Sequence, residues 1–125
     1  MSLEIVKNFL NALEDRNLIE AKKYLSPSPR MIFPGGIDIK DLDDLGEWSK
    51  KRYKYVKKSF GKFDVIHEGK TVTIYSLGTL YGIANDGKEI KNVRYVDRFV
   101  IEEDKIINIQ VWNDLAESIL VDKKL

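Results

Sequence analysis

The chain has 125 residues, with 43% hydrophobic and 33% charged side chains and a formal net charge of +1. This balance predicts one soluble globular domain over residues 1–125 and gives no case for bulk attraction to nucleic acid or to a membrane surface. The absence of cysteine and the single histidine exclude disulfides, thiol chemistry and a multi-histidine metal site. No apolar run approaches the ~20 residues of a membrane span, and the first residues lack the basic start of a signal peptide, so we expect a cytoplasmic protein.

The first half of the chain shows the apolar spacing of amphipathic helices. A polar corner at Glu14–Asn17 separates two of them, and the Ser-Pro-Ser-Pro run at 26–29 stops the second. Asp41 is a suitable N-cap for a third helix. The predicted elements are a helix over Leu3–Leu13, a helix over Leu18–Leu25, a strand over Met31–Phe33 and a helix from Asp41 to about Ser59.

The second half shows the pattern of strands joined by tight turns. Asn85-Asp86-Gly87 is a strong hairpin signal between two long runs rich in β-branched and aromatic residues. Helices followed by antiparallel neighbours predict an α+β fold, with the helices packed against a curved antiparallel sheet. The predicted elements are strands over Phe63–Glu68, Thr71–Ala84, Lys88–Glu102 and Lys105–Asn113, and a short helix over Leu115–Leu120.

Asp97 is the strongest chemical lead in the sequence. Strand alternation places it on an otherwise apolar and aromatic face, where an unpaired carboxylate is costly and either raises its pKa or finds a partner. The structural alternative is pairing with an arginine, a tyrosine hydroxyl or His67. The residues that share this face are Val93, Tyr95, Asp97, Phe99 and Ile101.

Two further residues are candidates for acid–base chemistry. His67 alternates with apolar residues near a strand end, and a neutral histidine is a competent acid or base near pH 7. Asp114 ends the last strand, where it acts in chemistry or, alternatively, caps the terminal helix. Tyr75 and Tyr95 offer hydroxyls toward a pocket, although tyrosine is common in strands in any case.

The basic run Lys50–Lys58 resembles a nucleic-acid patch, but the predicted helix argues against that. A helical wheel places most of its lysines, including Lys58, on a solvated face. Trp48 and Arg52 lie on the packed face instead. Arg52 is therefore positioned to reach an acidic ligand or one of the aspartates.

The order of elements and four local motifs resemble the nuclear transport factor 2-like superfamily, which includes ketosteroid isomerases and SnoaL-like polyketide cyclases. The resemblance implies a cone-shaped sheet around a helix-lined pocket, and a homodimer through the outer sheet face. Trp112 and Gln110 are candidate contacts in that dimer. The motifs are Ile5–Leu13, Phe33–Gly36, Val96–Phe99 with Asp104–Ile106, and Val111–Leu115.

The resemblance also implies site residues. Asp97 falls where ketosteroid isomerases carry the neutral aspartic acid of their oxyanion hole. Phe9 and Phe33 fall where those enzymes carry a tyrosine hydroxyl and the general base, so steroid isomerisation is not expected. Asp114 falls near the acid/base aspartate of SnoaL-like cyclases.

The function predicted from these observations is an isomerase- or cyclase-like enzyme acting on a small hydrophobic carbonyl compound, with no metal or organic cofactor. Asp97 would donate a hydrogen bond to the developing enolate oxygen, and Asp114 or His67 would accept the proton. The alternatives are a non-catalytic domain that binds an apolar ligand and an interaction module joined through its sheet. The predicted ligand-binding residues are Phe9, Phe33, Trp48, Arg52, Tyr75, Tyr95, Phe99 and Asn113.

Overall fold

The computed structural model describes residues 1–120, which form four helices and six strands. None of these helices is long and apolar enough to cross a membrane. The elements in chain order are α1 (Ser2–Glu14), α2 (Leu18–Lys22), β1 (Leu25–Phe33), β2 (Ile37–Ile39), α3 (Leu42–Lys50), β3 (Tyr53–Glu68), β4 (Thr71–Ala84), β5 (Glu89–Glu102), β6 (Lys105–Asn113) and α4 (Leu115–Leu120).

The six strands form one curved, unclosed sheet in the order β2-β1-β6-β5-β4-β3. The consecutive strands from β3 to β6 pair antiparallel, as their short turns require. The pairing of β1 with β6 is parallel, so the sheet is mixed rather than wholly antiparallel. The prediction of an α+β fold with helices against a curved sheet is confirmed. The parallel pair was not predicted, because alternation within a strand does not indicate the direction of a distant partner strand.

The third helix is shorter than predicted, and this difference changes the site. It ends at Lys50, and a strand of 16 residues begins at Tyr53. Pairing of β3 with β4 places Val56 opposite Gly82 and outweighs the local helical pattern. Lys58 therefore belongs to a strand and faces the interior, contrary to the helical-wheel prediction.

The second helix is also shorter, because the prolines at 27 and 29 lie within β1 rather than in a connecting loop. They fall where the pairing of β1 with β6 is irregular, between Leu25 and Arg30. A proline cannot donate to a sheet ladder, so such an irregularity is where a strand accommodates it.

The main core lies between α1 and one half of the sheet. Its buried members come from helices α1 to α3, from β1 and β2, and from strands β4 to β6. A smaller cluster, formed by Leu80, Ile90, Val93, Tyr95 and Leu115, lies at the other half under α4. The space between this cluster and α3 is not filled, and this space is the cavity described next.

Candidate functional site

One cavity of about 500 Å³ lies between the end of α1, α3, the first half of β3 and the strands β4 to β6. Its walls are apolar where Leu10, Leu13 and Val111 face it, and polar groups enter from one side. A concave, mostly apolar space with a few polar side chains is the usual form of a small-molecule site. The polar or charged side chains that line it include Arg52, Lys58, Tyr95, Asp97 and Asn113.

Asp97 lies on the inner face of β5, between Ser76 of β4 and Val111 of β6. It is 1% exposed, and neither carboxyl oxygen accepts a hydrogen bond from any residue that the structure describes. The nearest hydroxyls bond to each other instead, since Ser76 Oγ and Tyr95 Oη are 3.1 Å apart. Burial raises the pKa of Asp97, and the nearby Lys58 ammonium opposes that rise without cancelling it.

Lys58 is the cation beside Asp97. Its Nζ lies 3.4 Å from Asp97 Oδ2, which is ion-pair distance but lacks the angles of a hydrogen bond. The same Nζ lies 5.2 Å from the centroid of the Tyr95 ring. Burial is the largest influence on the pKa of Lys58 and acts to lower it, but Asp97, Tyr95 and Tyr53 together act in the opposite direction, and the net direction is upward. Lys58 therefore remains an ammonium at neutral pH and is a hydrogen-bond donor rather than an amine nucleophile.

A glycine in β4 allows β3 to approach the sheet closely next to this pair. A Cβ at Gly78 would clash with the Ser59 carbonyl oxygen and would lie 2.9 Å from Tyr95 Cε2. The pairing of β3 with β4 is irregular just beyond this point, between Phe60 and Lys62. A side chain at this position would force β3 away from the sheet that carries Asp97.

A second cation, Arg52, lies at the same cavity next to two aromatic rings. The Arg52 guanidinium lies 4.5 Å from the Trp48 ring centroid, and the Trp48 ring lies 5.7 Å from that of Phe33. Arg52 Nε is buried and has no hydrogen-bond acceptor among residues 1–120. Phe33, Trp48 and Arg52 were all predicted to bind ligand, and the structure brings them together at one wall.

Asn113 also lines the cavity, but its side chain has a structural partner as well. Its Oδ1 accepts a hydrogen bond from the Leu115 backbone N–H at 3.1 Å. Asn113, rather than the predicted Asp114, therefore supplies the side-chain oxygen at the start of α4. No group of three His, Asp or Glu side chains in the described part of the chain is arranged to hold a metal ion.

Solved structures with the same architecture cover almost the whole chain. A protein of unknown function from Burkholderia pseudomallei, described as nuclear transport factor 2-like, matches with a TM-score of 0.78 and 19% identity over 98% of both chains. The chain has the nuclear transport factor 2-like fold. No protein-family model and no curated protein matches the sequence.

Two further solved structures share this architecture. TerC, co-crystallised with polyporic acid, matches with a TM-score of 0.75 and 11% identity over 98% of both chains. A protein from Jannaschia sp. described as a SnoaL-like polyketide cyclase matches with a TM-score of 0.70 and 15% identity, over 94% of this chain and 88% of that one. These likenesses confirm the predicted fold and leave the reaction open.

Three of the predicted ligand-binding residues lie away from the cavity of this nuclear transport factor 2-like domain. Phe9 and Phe99 pack edge to face in the main core, with ring centroids 6.2 Å apart and each side chain 1% exposed. Tyr75 faces the other side of the sheet, where its hydroxyl accepts a hydrogen bond from Arg98 Nε at 3.2 Å. None of the three lines the cavity.

The two residues predicted to accept the proton also lie outside the cavity. His67 is exposed near the end of β3, opposite Val72. Asp114 pairs with Arg94, whose Nε lies 2.5 Å from Asp114 Oδ2. Asn113 lies opposite Tyr95 on the inner face of the sheet. Because neighbouring residues of a strand point to opposite faces, Asp114, which follows Asn113, and Arg94, which precedes Tyr95, both point outward and meet there. The structure does not bring either residue to Asp97.

Lys58 is the site residue that the sequence prediction missed. The signal was present in the alternation of Tyr53–Lys58, which allows a strand with Val56 and Lys58 on one face. The long run of lysines concealed it, because lysine is a good helix former and the preceding residues are helical.

Proposed function

We propose that the chain is a cofactor-independent enzyme of the isomerase or cyclase kind, which acts on a small, mostly apolar carbonyl compound through Asp97 and Lys58. The observation that carries the proposal is the environment of the Asp97 carboxyl group. Its carboxyl group is buried at an apolar cavity, has an ammonium 3.4 Å away and accepts no hydrogen bond from residues 1–120. Ion pairs kept for structure normally have their remaining oxygens satisfied.

The two groups suit opposite halves of an enolisation. Lys58 holds its proton, so it donates a hydrogen bond to the oxygen that becomes negative in the transition state. Asp97 has a raised pKa, which makes its carboxylate a stronger base than an ordinary aspartate. It accepts the proton from the carbon next to the carbonyl, and the C–H electrons form the enolate. The proton then returns to that carbon or, where the substrate has a conjugating C=C bond, to the far end of the dienolate. This reverses the predicted role of Asp97 as the hydrogen-bond donor.

The structural neighbours support a small cyclic compound as the ligand. The TerC structure contains polyporic acid, and the Jannaschia protein is described as a polyketide cyclase. Both cover this chain almost completely, so the likeness extends over the whole fold. Their low sequence identities mean that they support the class of ligand and not its identity.

A deuterium-exchange assay tests the proposal without the natural substrate. The probe is 2-tetralone in D2O, with incorporation of deuterium next to the carbonyl followed by NMR. We expect wild-type protein to exceed the buffer rate, and Asp97→Asn to lose about 10²-fold or more of that acceleration, as expected for removal of a general base. Equal rates in wild type and Asp97→Asn would contradict the proposal.

Lys62→Met is the matched control in that assay. Lys62 also lies on β3 and also pairs with an aspartate, at 3.4 Å from Asp64 Oδ1, but its side chain is 70% exposed. We expect Lys58→Met to lose exchange and Lys62→Met to retain it. Loss in both variants would show that the effect is not specific to the cavity.

The second candidate function is ligand binding without catalysis. The observation that favours it is the 1% exposure of Asp97 beside a Lys58 side chain that is 25% exposed, so a ligand meets Lys58 first. Catalysis requires binding to open this wall. Saturable binding of 2-tetralone with no exchange above the buffer rate would select this candidate.

We also propose that the protein forms a homodimer through the outer face of the sheet. Trp112 is 52% exposed and lies opposite Val96, which shares that face. An exposed tryptophan on a sheet with apolar neighbours is typical of an interface. Sedimentation at micromolar concentration should give roughly twice the 14.5 kDa chain mass, and Trp112→Glu should return it to one chain. A wild-type monomer would contradict this proposal.

A further inference from the structure

Arg52 is a charged group in the cavity that the proposed acid–base pair does not use. It lies in the turn between α3 and β3, where its backbone N–H donates to the Ser49 carbonyl at 2.9 Å. The carbonyl of the nearby Lys50 accepts a bond from Asn85 Nδ2 at 3.1 Å, which ties this turn to the β4–β5 hairpin. The backbone that carries Arg52 is therefore anchored from two sides.

No carboxylate in the described part of the chain neutralises Arg52. An arginine at a cavity wall would normally pair with one of the acidic residues around it. Each acidic residue that lines this cavity has another partner. Asp97 pairs with Lys58 at 3.4 Å, Glu47 with Lys50 at 3.4 Å and Asp43 with Lys22 at 3.4 Å, while Glu14 accepts a hydrogen bond from the Lys58 backbone N–H at 3.2 Å.

The guanidinium lies over the Trp48 ring and has an unused donor. Its Cζ is 4.5 Å from the ring centroid, and its N–H donors lie along the edge of the guanidinium. Nε, on that edge, is buried and has no acceptor among residues 1–120. A carboxylate that approaches this edge accepts from Nε and a terminal nitrogen together, which is the strong bidentate arrangement. The rings of Trp48 and Phe33 would contact an apolar body attached to that carboxylate.

We propose that Arg52 binds a carboxylate of the cavity's ligand, so that the substrate class is a small apolar, ring-containing keto acid rather than a neutral ketone. This inference rests on the proposed function of the same cavity and adds the group that orients the substrate. With the carboxylate on Arg52 and the carbonyl oxygen at Lys58, the reacting carbon would be directed toward Asp97.

A pair of probes with the same ring system tests the inference. The anionic probe is 2-naphthoate and the neutral probe is 2-acetonaphthone, and their dissociation constants are measured by calorimetry at pH 7.5. We expect wild-type protein to bind the carboxylate at least about tenfold more tightly, as a charge-assisted bidentate pair implies. Raising the salt concentration should weaken binding of the carboxylate and leave that of the ketone unchanged.

Variants at two neighbouring cations assign the preference to Arg52. Arg52→Gln should abolish the preference and change the affinity for the ketone by about twofold or less. Arg52→Lys, which retains the charge and loses the planar fork, should restore only part of it. Lys51→Gln is the matched control, because it removes the same charge from an exposed adjacent residue that does not line the cavity. In wild type, the Nε–H NMR signal of Arg52 should shift with 2-naphthoate and not with the ketone.

The outcomes separate this inference from the proposed function. Equal affinities for the two probes in wild type, or a preference that survives in Arg52→Gln, would overturn the role of Arg52 even if exchange into 2-tetralone occurs. A preference lost in Arg52→Gln, together with no exchange into 2-tetralone, would support Arg52 and overturn the catalytic proposal. Failure of both probes to bind would also overturn the role of Arg52, whereas exchange into 2-tetralone alone decides the catalytic proposal.

Discussion

The two halves of β5 show how one strand serves two purposes. Toward its C-terminal end, Phe99 and Ile101 lie in the main core, covered by α1. Toward its N-terminal end, Tyr95 and Asp97 face the cavity. All four side chains are buried to a similar extent, between 1% and 2% exposed. Burial alone therefore does not distinguish the part that holds the fold together from the part that we propose acts on a ligand.

The difference lies in what surrounds each half. Phe99 meets Phe9 and other apolar side chains, and such burial stabilises a fold. Asp97 meets a cation and no hydrogen-bond donor with suitable geometry, and such burial costs free energy. Sites that reduce stability and persist are candidates for function. The comparison predicts a larger loss of stability on substitution in the core half, and a smaller loss that depends on pH in the cavity half.

The largest expected effect is in the core half. Phe99→Ala should lower the free energy of unfolding by about 3–5 kcal/mol, because it removes a buried ring and leaves a cavity. Val100→Ala, at the next residue on the opposite and half-buried face, should cost about 1 kcal/mol or less. Urea denaturation measures both. A loss below about 1 kcal/mol for Phe99→Ala would remove the distinction between the two halves.

The next effect is in the cavity half and depends on pH. Lys58→Met should lower the free energy of unfolding by about 2–3 kcal/mol at pH 8, somewhat less than for a fully buried ion pair, because Lys58 is 25% exposed. The loss should be smaller at pH 5. Without the ammonium, the already raised pKa of Asp97 rises further in the folded state. The folded protein then retains a proton that the unfolded chain releases, so the free energy of unfolding falls as pH rises above the pKa of Asp97 in the unfolded chain.

Lys62→Met controls for the general effect of removing a lysine from β3. Its pair with Asp64 is largely exposed, and such pairs contribute about 0–1 kcal/mol. Its effect should also be nearly the same at pH 5 and pH 8. If the two lysine variants behave alike, the Asp97–Lys58 pair is not distinct from a surface pair.

The smallest effect is expected outside both halves, at Asp114. Asp114→Asn removes the pair with Arg94, whose side chain is 83% exposed, so the change in stability should be about 0.5 kcal/mol or less. Deuterium exchange into 2-tetralone should be unchanged. A tenfold or larger loss of exchange with intact folding would return Asp114 to the chemistry that the sequence prediction assigned to it.

The sequence predicted those features that depend on local patterns. The alternation of β5 correctly placed Asp97 on a buried face, and the Asn85-Asp86-Gly87 turn correctly joined β4 to β5. The resemblance in motif order correctly indicated the nuclear transport factor 2-like fold. These features needed no knowledge of distant partners.

The partner of Asp97 could not be predicted in the same way. Lys58 is far from Asp97 in sequence, and only the pairing of β3 with β4 turns it inward. The local pattern favoured a helix through this segment, and a helical wheel placed Lys58 in solvent. The direction of Asp114 was ambiguous for a related reason, because the register of β6 against β5 decides which face a strand end presents.

The proposed chemistry depends on the carboxyl group of Asp97, which has a raised pKa despite the ammonium beside it and is thereby suited to accept a proton from a ligand. The direct test is a ¹³C NMR titration of the aspartate carboxyl carbons, with Asp97 assigned from the signal that disappears in Asp97→Asn. We expect a midpoint above the ordinary value of ~3.9, and a further rise in Lys58→Met. A midpoint below the ordinary value would mean that Lys58 outweighs burial. Asp97 would then be a structural ion-pair partner, and the proposed chemistry would lose its base.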